Sequence, residues 1–310
     1  MAVCDDNREG EFLANIQITS IDKIRYSPEI VIFITSGFNK IMKQHLEQLG
    51  LIGLYREIDF GRYDGGKENV EYFRKHRREV NTAYALLSDT KSKKVFTNLI
   101  NYRISRKLSF LDGLEEENQY YPREKMLDLS REQGYTFLDL GAYDGDSILE
   151  FMKYVHSKYN RIIAVEASEK NYKMLLANMA DIPNIECHNI GVYKEKTQLH
   201  FMVSDAKNTF ASDVGETVLA VDTVDNIVQK QPISFIKMDI EGAEYDALLG
   251  AQETIKRNTP ILAVSVYHKV EDLFRLILLI QKIHPHYDYY LRHYSPTVIE
   301  TVLYAVPQKG

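Results

Sequence analysis

The chain has 310 residues, 45% hydrophobic and 26% charged, with a formal net charge of −6. That composition is ordinary for a soluble globular protein of one large or two modest domains, and the charge gives no push toward nucleic acid or an anionic membrane. Cys4 and Cys187 supply neither a disulfide framework nor a cysteine-rich zinc site, no apolar run approaches the roughly 20 residues that span a bilayer, and the start, Met-Ala-Val-Cys-Asp-Asp, is not a signal peptide, so the expected compartment is the cytoplasm.

In chain order, the first periodic signal is a short buried strand from Glu29 to Thr35, followed by a turn at Ser36-Gly37. Ile41, Met42, Leu46 and Leu49 then recur with helical spacing, and Gly50 is placed to end that helix. Residues 61–66, Gly-Arg-Tyr-Asp-Gly-Gly, read as a loop. From about Lys67 to Leu108 the pattern is helical. Leu86, Leu87, Val95, Phe96, Leu99, Ile100 and Ile104 form its apolar face, and Lys91, Lys93, Lys94, Arg103, Arg106 and Lys107 a basic, solvated one. Tyr120-Tyr121-Pro122 sits in a connecting segment.

Strands and helices then alternate: strand 136–140, helix 146–157, strand 161–166, helix 169–180 and strand 185–190. Strands 197–203 and 217–221 flank a polar loop at 204–215, where Asp205, Asn208 and Ser212 are placed to cover a ligand. Helix 222–229, strand 233–239, helix 242–256, strand 260–266 and helix 270–283 lead to two tail strands, 287–294 and 298–306. This alternation predicts an α/β sheet covered on both faces. A closing antiparallel hairpin suits a class I methyltransferase sheet better than a dehydrogenase sheet.

The first turn of this region is Asp139-Leu-Gly141-Ala-Tyr143-Asp-Gly145, between a strand and a helix. A dinucleotide fold uses Gly-x-Gly-x-x-Gly so that a pyrophosphate can lie against bare backbone. Here the middle glycine is missing, and Asp139, Asp144 and Asp146 would repel a pyrophosphate. They suit S-adenosylmethionine, which carries a sulfonium and an ammonium and no phosphate. Glu166 closes the second strand, where a carboxylate can accept both ribose hydroxyls. The expected cofactor shell is Asp139, Gly141, Ala142, Tyr143, Asp144, Gly145, Asp146, Ser147, Glu166 and Ala167, with Asn189 toward the adenine.

From Phe137 to Ala305 the chain resembles the FkbM-family methyltransferases. The resemblance rests on Phe-Leu-Asp-Leu-Gly-Ala-Tyr-Asp-Gly-Asp-Ser (137–147) and most heavily on Phe-Ile-Lys-Met-Asp-Ile-Glu-Gly-Ala-Glu-Tyr-Asp-Ala-Leu-Leu-Gly-Ala (235–251). The stretches 266–273, 290–295 and 300–305 agree as well. The resemblance implies a Rossmann-like fold and transfer of a methyl group from S-adenosylmethionine to oxygen, on a sugar, glycan or secondary-metabolite hydroxyl. Residues 116–310 are then the expected methyltransferase domain. Residues 1–115 are an accessory α/β region, for substrate binding or for pairing of identical chains. The rival readings are a nicotinamide-dependent oxidoreductase or epimerase and a non-catalytic subunit that keeps the fold.

Downstream, Lys237, Asp239, Glu241 and Glu244 cluster around the fourth parallel strand, with Lys237 and Asp239 on one face. Asp239 is placed to take a proton from the acceptor hydroxyl, to bind a divalent cation together with Glu241, or only to cap the following helix. Glu241 and Glu244 also fit simple dipole stabilisation of that helix. His268 ends the next strand and is the second candidate base. Arg292 and His293 are expected to face solvent.

Overall fold

A computed structural model describes residues 3–5, 8–13, 15–24, 32–34, 39–51, 55–57, 69–124, 126–127, 134–203, 209–211 and 217–308. The turn at Ser36-Gly37, the loop at 61–66 and the candidate lid residues Asp205, Asn208 and Ser212 lie outside the described residues. The chain divides into two compact units, Met1–Phe60 and Gly61–Gly310.

In the first unit, β1 (Val3–Cys4) and β2 (Phe12–Leu13) flank β3 (Ile16–Thr19). Strand β4 (Ile32–Ile34) is followed by α1 (Asn39–Gln48) and pairs in parallel with β5 (Tyr55–Glu57). Ile21, Leu46 and Leu51 form its buried centre. Gly50, at φ 74°, lets the chain leave α1 so that the Leu51 amide reaches the Leu46 carbonyl, the stop expected from the sequence.

The second unit begins with α2 (Val70–Lys75), α3 (Arg77–Leu86) and α4 (Thr90–Ser105). It continues through β6 (Tyr135–Leu140), α5 (Asp146–Tyr154), β7 (Tyr159–Val165), α6 (Glu169–Met179) and β8 (Ile185–His188). Strands β9 (Gly191–Val192), β10 (Thr197–Val203), β11 (Thr209–Ala211) and β12 (Thr217–Asp222) follow. The rest is α7 (Val224–Val228), β13 (Phe235–Met238), α8 (Glu244–Leu249), α9 (Gln252–Asn258), β14 (Ile261–Ser265), α10 (Asp272–Ile283), β15 (Tyr287–His293) and β16 (Thr301–Pro307).

Its main sheet has seven strands in the order β15-β16-β14-β13-β6-β7-β8. Strands β6, β7, β8, β13 and β14 are parallel, and β16 runs antiparallel between β14 and β15. Every residue of β6 and β13 is buried, Asp139 and Lys237 included, because both faces of the sheet are covered. Successive residues serve opposite faces: Leu138 joins the core that holds α10, while Phe137 stacks on Phe151 at a centroid distance of 4.2 Å on the other side. The strand order reverses at β6. The chain works outward through β7 and β8, then returns to β13 on the other side, which leaves a crevice at the carboxyl ends of β6 and β13.

The structure departs from the sequence expectations in five places. Strands β10 and β12 leave the main sheet and form a separate four-stranded sheet with β9 and β11. The helix expected over 242–256 is two, α8 and α9, parted at Gly250, where the Tyr193 carbonyl approaches so closely that a Cβ would overlap it. The helix expected over 146–157 stops at Tyr154, where His156 and Ser157 turn left-handed at φ 51° and 57°. The unit boundary falls after Phe60 rather than at 115, since α3 packs on α10 and α4 on β15. Arg292 and His293 are buried, not solvent-facing.

Arg292 is 1% exposed and donates to Asp89, Ser92 and Glu124. Lys91, from the face expected to be solvated, pairs with Glu116 at 2.6 Å and Glu124 at 2.9 Å, and Arg103 is buried. Segment 115–124 is thereby strapped to α4 and β15, and it carries Tyr120 over the main sheet's carboxyl edge. Among the described residues, no helix is long and apolar enough to cross a membrane.

Candidate active site

A cleft of about 570 Å³ opens at the carboxyl ends of the parallel strands. Its floor is the turn after β6. Gly141 sits at φ 82°, and a Cβ there would overlap the Asp239 backbone carbonyl, so only glycine fits. The Gly141 and Ala142 amides both donate to the Val165 carbonyl, which fixes the turn to β7. Gly145, at φ 95°, starts α5 without a side-chain cap. The Asp144 and Asp146 carboxylates instead accept from the first amides of the helix, Asp146 N–H at 3.3 Å and Ser147 N–H at 2.6 Å.

Beneath the turn lies a buried strut. Asp139 is wholly buried; its Oδ1 is 3.1 Å from Lys237 Nζ and its Oδ2 accepts from the Ser147 hydroxyl. Lys237 also donates to the Gly141 carbonyl at 2.7 Å, and its ammonium lies 5.3 Å from the Tyr120 ring centre. Burial raises the Asp139 pKa against the pull of Lys237. Burial works to lower the Lys237 pKa, but Asp139 and Asp239 outweigh it and the net shift is upward, so the ammonium stays charged. Asp139 thus supports the loop from below rather than lining the cleft.

On the β7 side, Glu166 accepts from the Tyr143 amide at 2.9 Å and the Ser168 amide at 2.8 Å, one to each oxygen. The Asn171 side chain also hydrogen-bonds the carboxylate, which with about four acceptor positions still has capacity toward the cleft. Burial raises the Glu166 pKa. Gly141, Tyr143, Asp146, Ser147, Glu166 and Ala167 line the cleft. Ala142, Asp144, Gly145 and Asn189 do not: the Asn189 amide clamps the Glu166 and Ala167 carbonyls instead of facing an adenine. Ser168, Asn171, Ile190, Val192, Leu219 and Val221 complete that side.

On the β13 side, Asp239 reaches the cleft with its side chain 22% exposed. Its Oδ2 accepts from the Tyr120 hydroxyl at 2.6 Å, and the Tyr267 hydroxyl lies 3.3 Å from Oδ1. Burial pushes its pKa up, but the charges of Lys237 and His268 and the Tyr120 hydrogen bond outweigh it, and the carboxyl ends below its usual range. Glu241 and Gly242 follow at φ 58° and 96°, two left-handed residues in succession. A left-handed Glu is a stored local strain of the kind that clusters at functional sites.

His268 departs from the role expected of it. Its side chain is 1% exposed and does not line the cleft. Nδ1 pairs with the fully buried Glu244 at 2.8 Å, and Nε2 lies 3.4 Å from Asp239 and 3.5 Å from Glu241. Burial lowers its pKa, but the three carboxylates more than compensate and raise it to about 9. At neutral pH it is therefore an imidazolium with no lone pair to serve as a base. Glu244, expected only to favour the helix dipole, also accepts from the Ile240 amide and so holds the β13–α8 turn.

Asp239, Glu244 and His268 bring one donor atom each within 4.8 Å of one another. The His268 ring stands where a cation shared by Asp239 and Glu241 would sit, its Nε2 3.4 Å from one carboxylate and 3.5 Å from the other. The third carboxylate, Glu244, is sealed from solvent and engaged with the Ile240 amide. Hard divalent cations take oxygen ligands and keep coordinated water.

The sequence reading missed Gln119, Tyr120, Tyr267, Ile299 and Glu300, which line the side of the cleft beyond β13. Their signals were present: the Tyr120-Tyr121-Pro122 segment, and the stretches beginning at Val266 and Glu300.

Residues 139–294 match the model of the methyltransferase FkbM domain, half of the chain, beginning at the end of β6 and taking in the turn that floors the cleft. The chain belongs to the FkbM methyltransferase family. The crystal structure of an FkbM methyltransferase from Methylobacillus flagellatus KT is similar at a TM-score of 0.78 and 24% identity, over 98% of this chain and 83% of that one. More distantly, a fibrillarin from Aeropyrum pernix with natively bound S-adenosyl-L-methionine is 12% identical at a TM-score of 0.38, over 58% and 69%. No curated protein sequence matches the chain. FkbM methyltransferases draw their methyl group from S-adenosylmethionine, so this chain is a methyltransferase dependent on that donor, and the nicotinamide reading falls away.

Proposed function

We propose that the chain transfers the methyl group to a hydroxyl oxygen of a sugar, a glycan or a comparably hydroxylated metabolite. The donor lies between the Gly141–Ser147 turn and Glu166, with its ribose hydroxyls on the Glu166 carboxylate. The acceptor enters past Tyr267 and Tyr120 and meets the methyl group at Asp239. The observation that carries this reading is the Asp239 carboxylate, ionised, facing the cleft and fixed by Tyr120 at 2.6 Å.

The chemistry needs no strong base. Methyl transfer is an in-line displacement, helped chiefly by holding the two reactants in register. As the C–O bond forms, the acceptor oxygen becomes positive and its proton strongly acidic, so a carboxylate of low pKa suffices to take it. Asp239 also aims the hydroxyl lone pair by accepting its hydrogen bond beforehand. The sulfonium loses its charge in the step, so the carboxylates around it serve mainly to bind and orient.

Melting measured with S-adenosylhomocysteine and with NAD tests the donor site, and stabilisation by NAD alone would sink the reading. Labelled methyl transfer to a panel of sugars and glycosides tests the acceptor. Asp239→Asn should lower kcat by about 10²-fold or more and leave S-adenosylhomocysteine affinity within a few-fold. Full activity in that variant, or label recovered only on nitrogen, rejects the assignment.

A further inference from the structure

Two loops meet at the acceptor side of the cleft. One is the strapped segment at Asn118–Tyr120, and the other is the turn at Ile299–Glu300 that leads into β16. Asn118, Tyr120 and Glu300 all adopt left-handed backbone, at φ 61°, 67° and 60°. Asparagine adopts this region readily, but tyrosine and glutamate do not, so the surrounding structure holds Tyr120 and Glu300 there. The Gln119 amide donates to Glu300 Oε2 and ties the two loops together. The result is a fixed wall beside Asp239, with the Tyr120 and Tyr267 rings and the half-exposed Ile299 as its apolar part.

The charges around this wall are one-sided. Asp146, Glu166, Asp239, Glu241 and Glu300 line the cleft, and among the described lining residues the single cation is Lys237. That ammonium is buried and committed to Asp139 and the Gly141 carbonyl. A phosphate or carboxylate brought in beside the reacting hydroxyl would meet Asp239, Glu241 and Glu300, while the nearby cations among the described residues, Lys237 and His268, are buried and already engaged. Burial, with the charges of Asp239 and Glu241, already raises the Glu300 pKa, which reports the same crowding. A neutral ring suits the wall well. Its C–H faces lie on the tyrosine rings, while Glu300 Oε1 and the Gln119 carbonyl oxygen accept from a hydroxyl next to the one methylated.

We propose that Glu300, locked to Gln119, is the specificity-determining residue of the acceptor site: it accepts a hydrogen bond from the hydroxyl adjacent to the reacting one and excludes acceptors that carry an anionic group there. The acceptor is thus a neutral vicinal diol. This rests on the O-methyl-transfer reading, and it adds the charge and the neighbouring group that the reading leaves open.

The test uses the full chain saturated with S-adenosylhomocysteine and two probes, methyl glucopyranoside and methyl glucopyranosiduronate, followed by ligand-observed NMR titration. The expected result is at least tenfold tighter binding of the neutral glycoside. Glu300→Gln should bring the ratio toward one, chiefly by improving binding of the uronate, with S-adenosylhomocysteine affinity unchanged. Equal or tighter uronate binding in the wild type, binding of neither probe, or an unaltered ratio in Glu300→Gln overturns the proposal. The wild-type ratio stands alone as a test should the variant fold poorly. Transfer of label to neutral and anionic hydroxyls alike would leave the O-methyl reading intact and remove this one; transfer to no hydroxyl would remove the O-methyl reading itself.

Discussion

At His268 three carboxylates converge on one imidazole. Glu244 holds Nδ1 from α8, while Asp239 and Glu241 face Nε2 from the β13–α8 turn. Asp272, at the start of α10, sits close enough to Glu244 that burial and that charge raise its own pKa, and Lys269 opposes the rise. An imidazole raised from 6.5 to about 9 contributes stability that is complete below pH 6.5 and lost as pH climbs through 9. The size is about 3 kcal/mol. Asp272, raised from 3.8 to about 8, has the same sign at lower pH: its contribution falls as pH climbs from the ordinary carboxylate range to about 8. Wild-type chain should therefore melt progressively lower between pH 7 and pH 10, and His268→Gln should start less stable and show a flatter slope over that interval. Parallel slopes in calorimetry would rule out the imidazolium. Asp239 has the opposite sign: its contribution is present above the usual carboxylate pKa and lost as pH falls through its lowered value. The rate profile should accordingly show no limb near 6.5.

The β6–α5 turn is the element on which the cleft depends, and its two glycines differ in kind. At Gly141 a Cβ would overlap the Asp239 backbone carbonyl, a group that cannot move without dislodging β13. At Gly145 it would meet the Met179 methyl at 2.6 Å, the far end of a flexible side chain. Both positions are left-handed, a strain of about 1–3 kcal/mol for alanine. Gly141→Ala should exceed that figure and abolish S-adenosylhomocysteine binding. Gly145→Ala should lose about that much stability and keep measurable binding. Equal melting losses in the two variants would contradict the distinction. The Gly–Gly spacing and the flanking strand and helix are plain in the sequence because they follow from local periodicity and turn chemistry. The contact between Gly141 and Asp239 is not, since it joins two strands nearly a hundred residues apart in sequence. The same holds for His268: its place at a strand tip is legible, but the buried Glu244 that makes it a cation comes from a helix whose inward face no local pattern marks. Tyr120 and Glu300 stayed hidden because the strap and the β16 turn meet only through the sheet order.

Across the molecule, each unit carries its own buried centre. Ile21, Leu46 and Leu51 belong to the first, and the two cores on either face of the seven-stranded sheet belong to the second. The alternation of strands and helices from Thr136 onward made that sheet readable. The antiparallel tail was readable from two strands close in sequence, since a short link favours hairpin pairing. The helices before residue 115 were harder to place, because an amphipathic stripe declares that it packs but not on what. They pack on α10 and β15, and through Arg292, Lys91 and their partners they hold the strap that brings Gln119 and Tyr120 to the cleft. Among the described residues, all that line the cleft lie between Gln119 and Glu300. A fragment beginning at Gly61 should therefore fold and bind S-adenosylhomocysteine within a few-fold of the full chain. A fragment beginning at residue 116 lacks Asp89, Lys91 and the core residues of α3 and α4, so it uncovers the faces of α10 and β15 that those helices pack on and takes Asp89 and Ser92 from Arg292. The uncovered apolar surface costs about 25 cal/mol per Å², so this fragment should be markedly less stable. Thermal melting and titration of both fragments decide the matter. Failure of the 61–310 fragment to bind, or a 116–310 fragment as stable as it, would mean that the organisation of the binding unit differs from the one described.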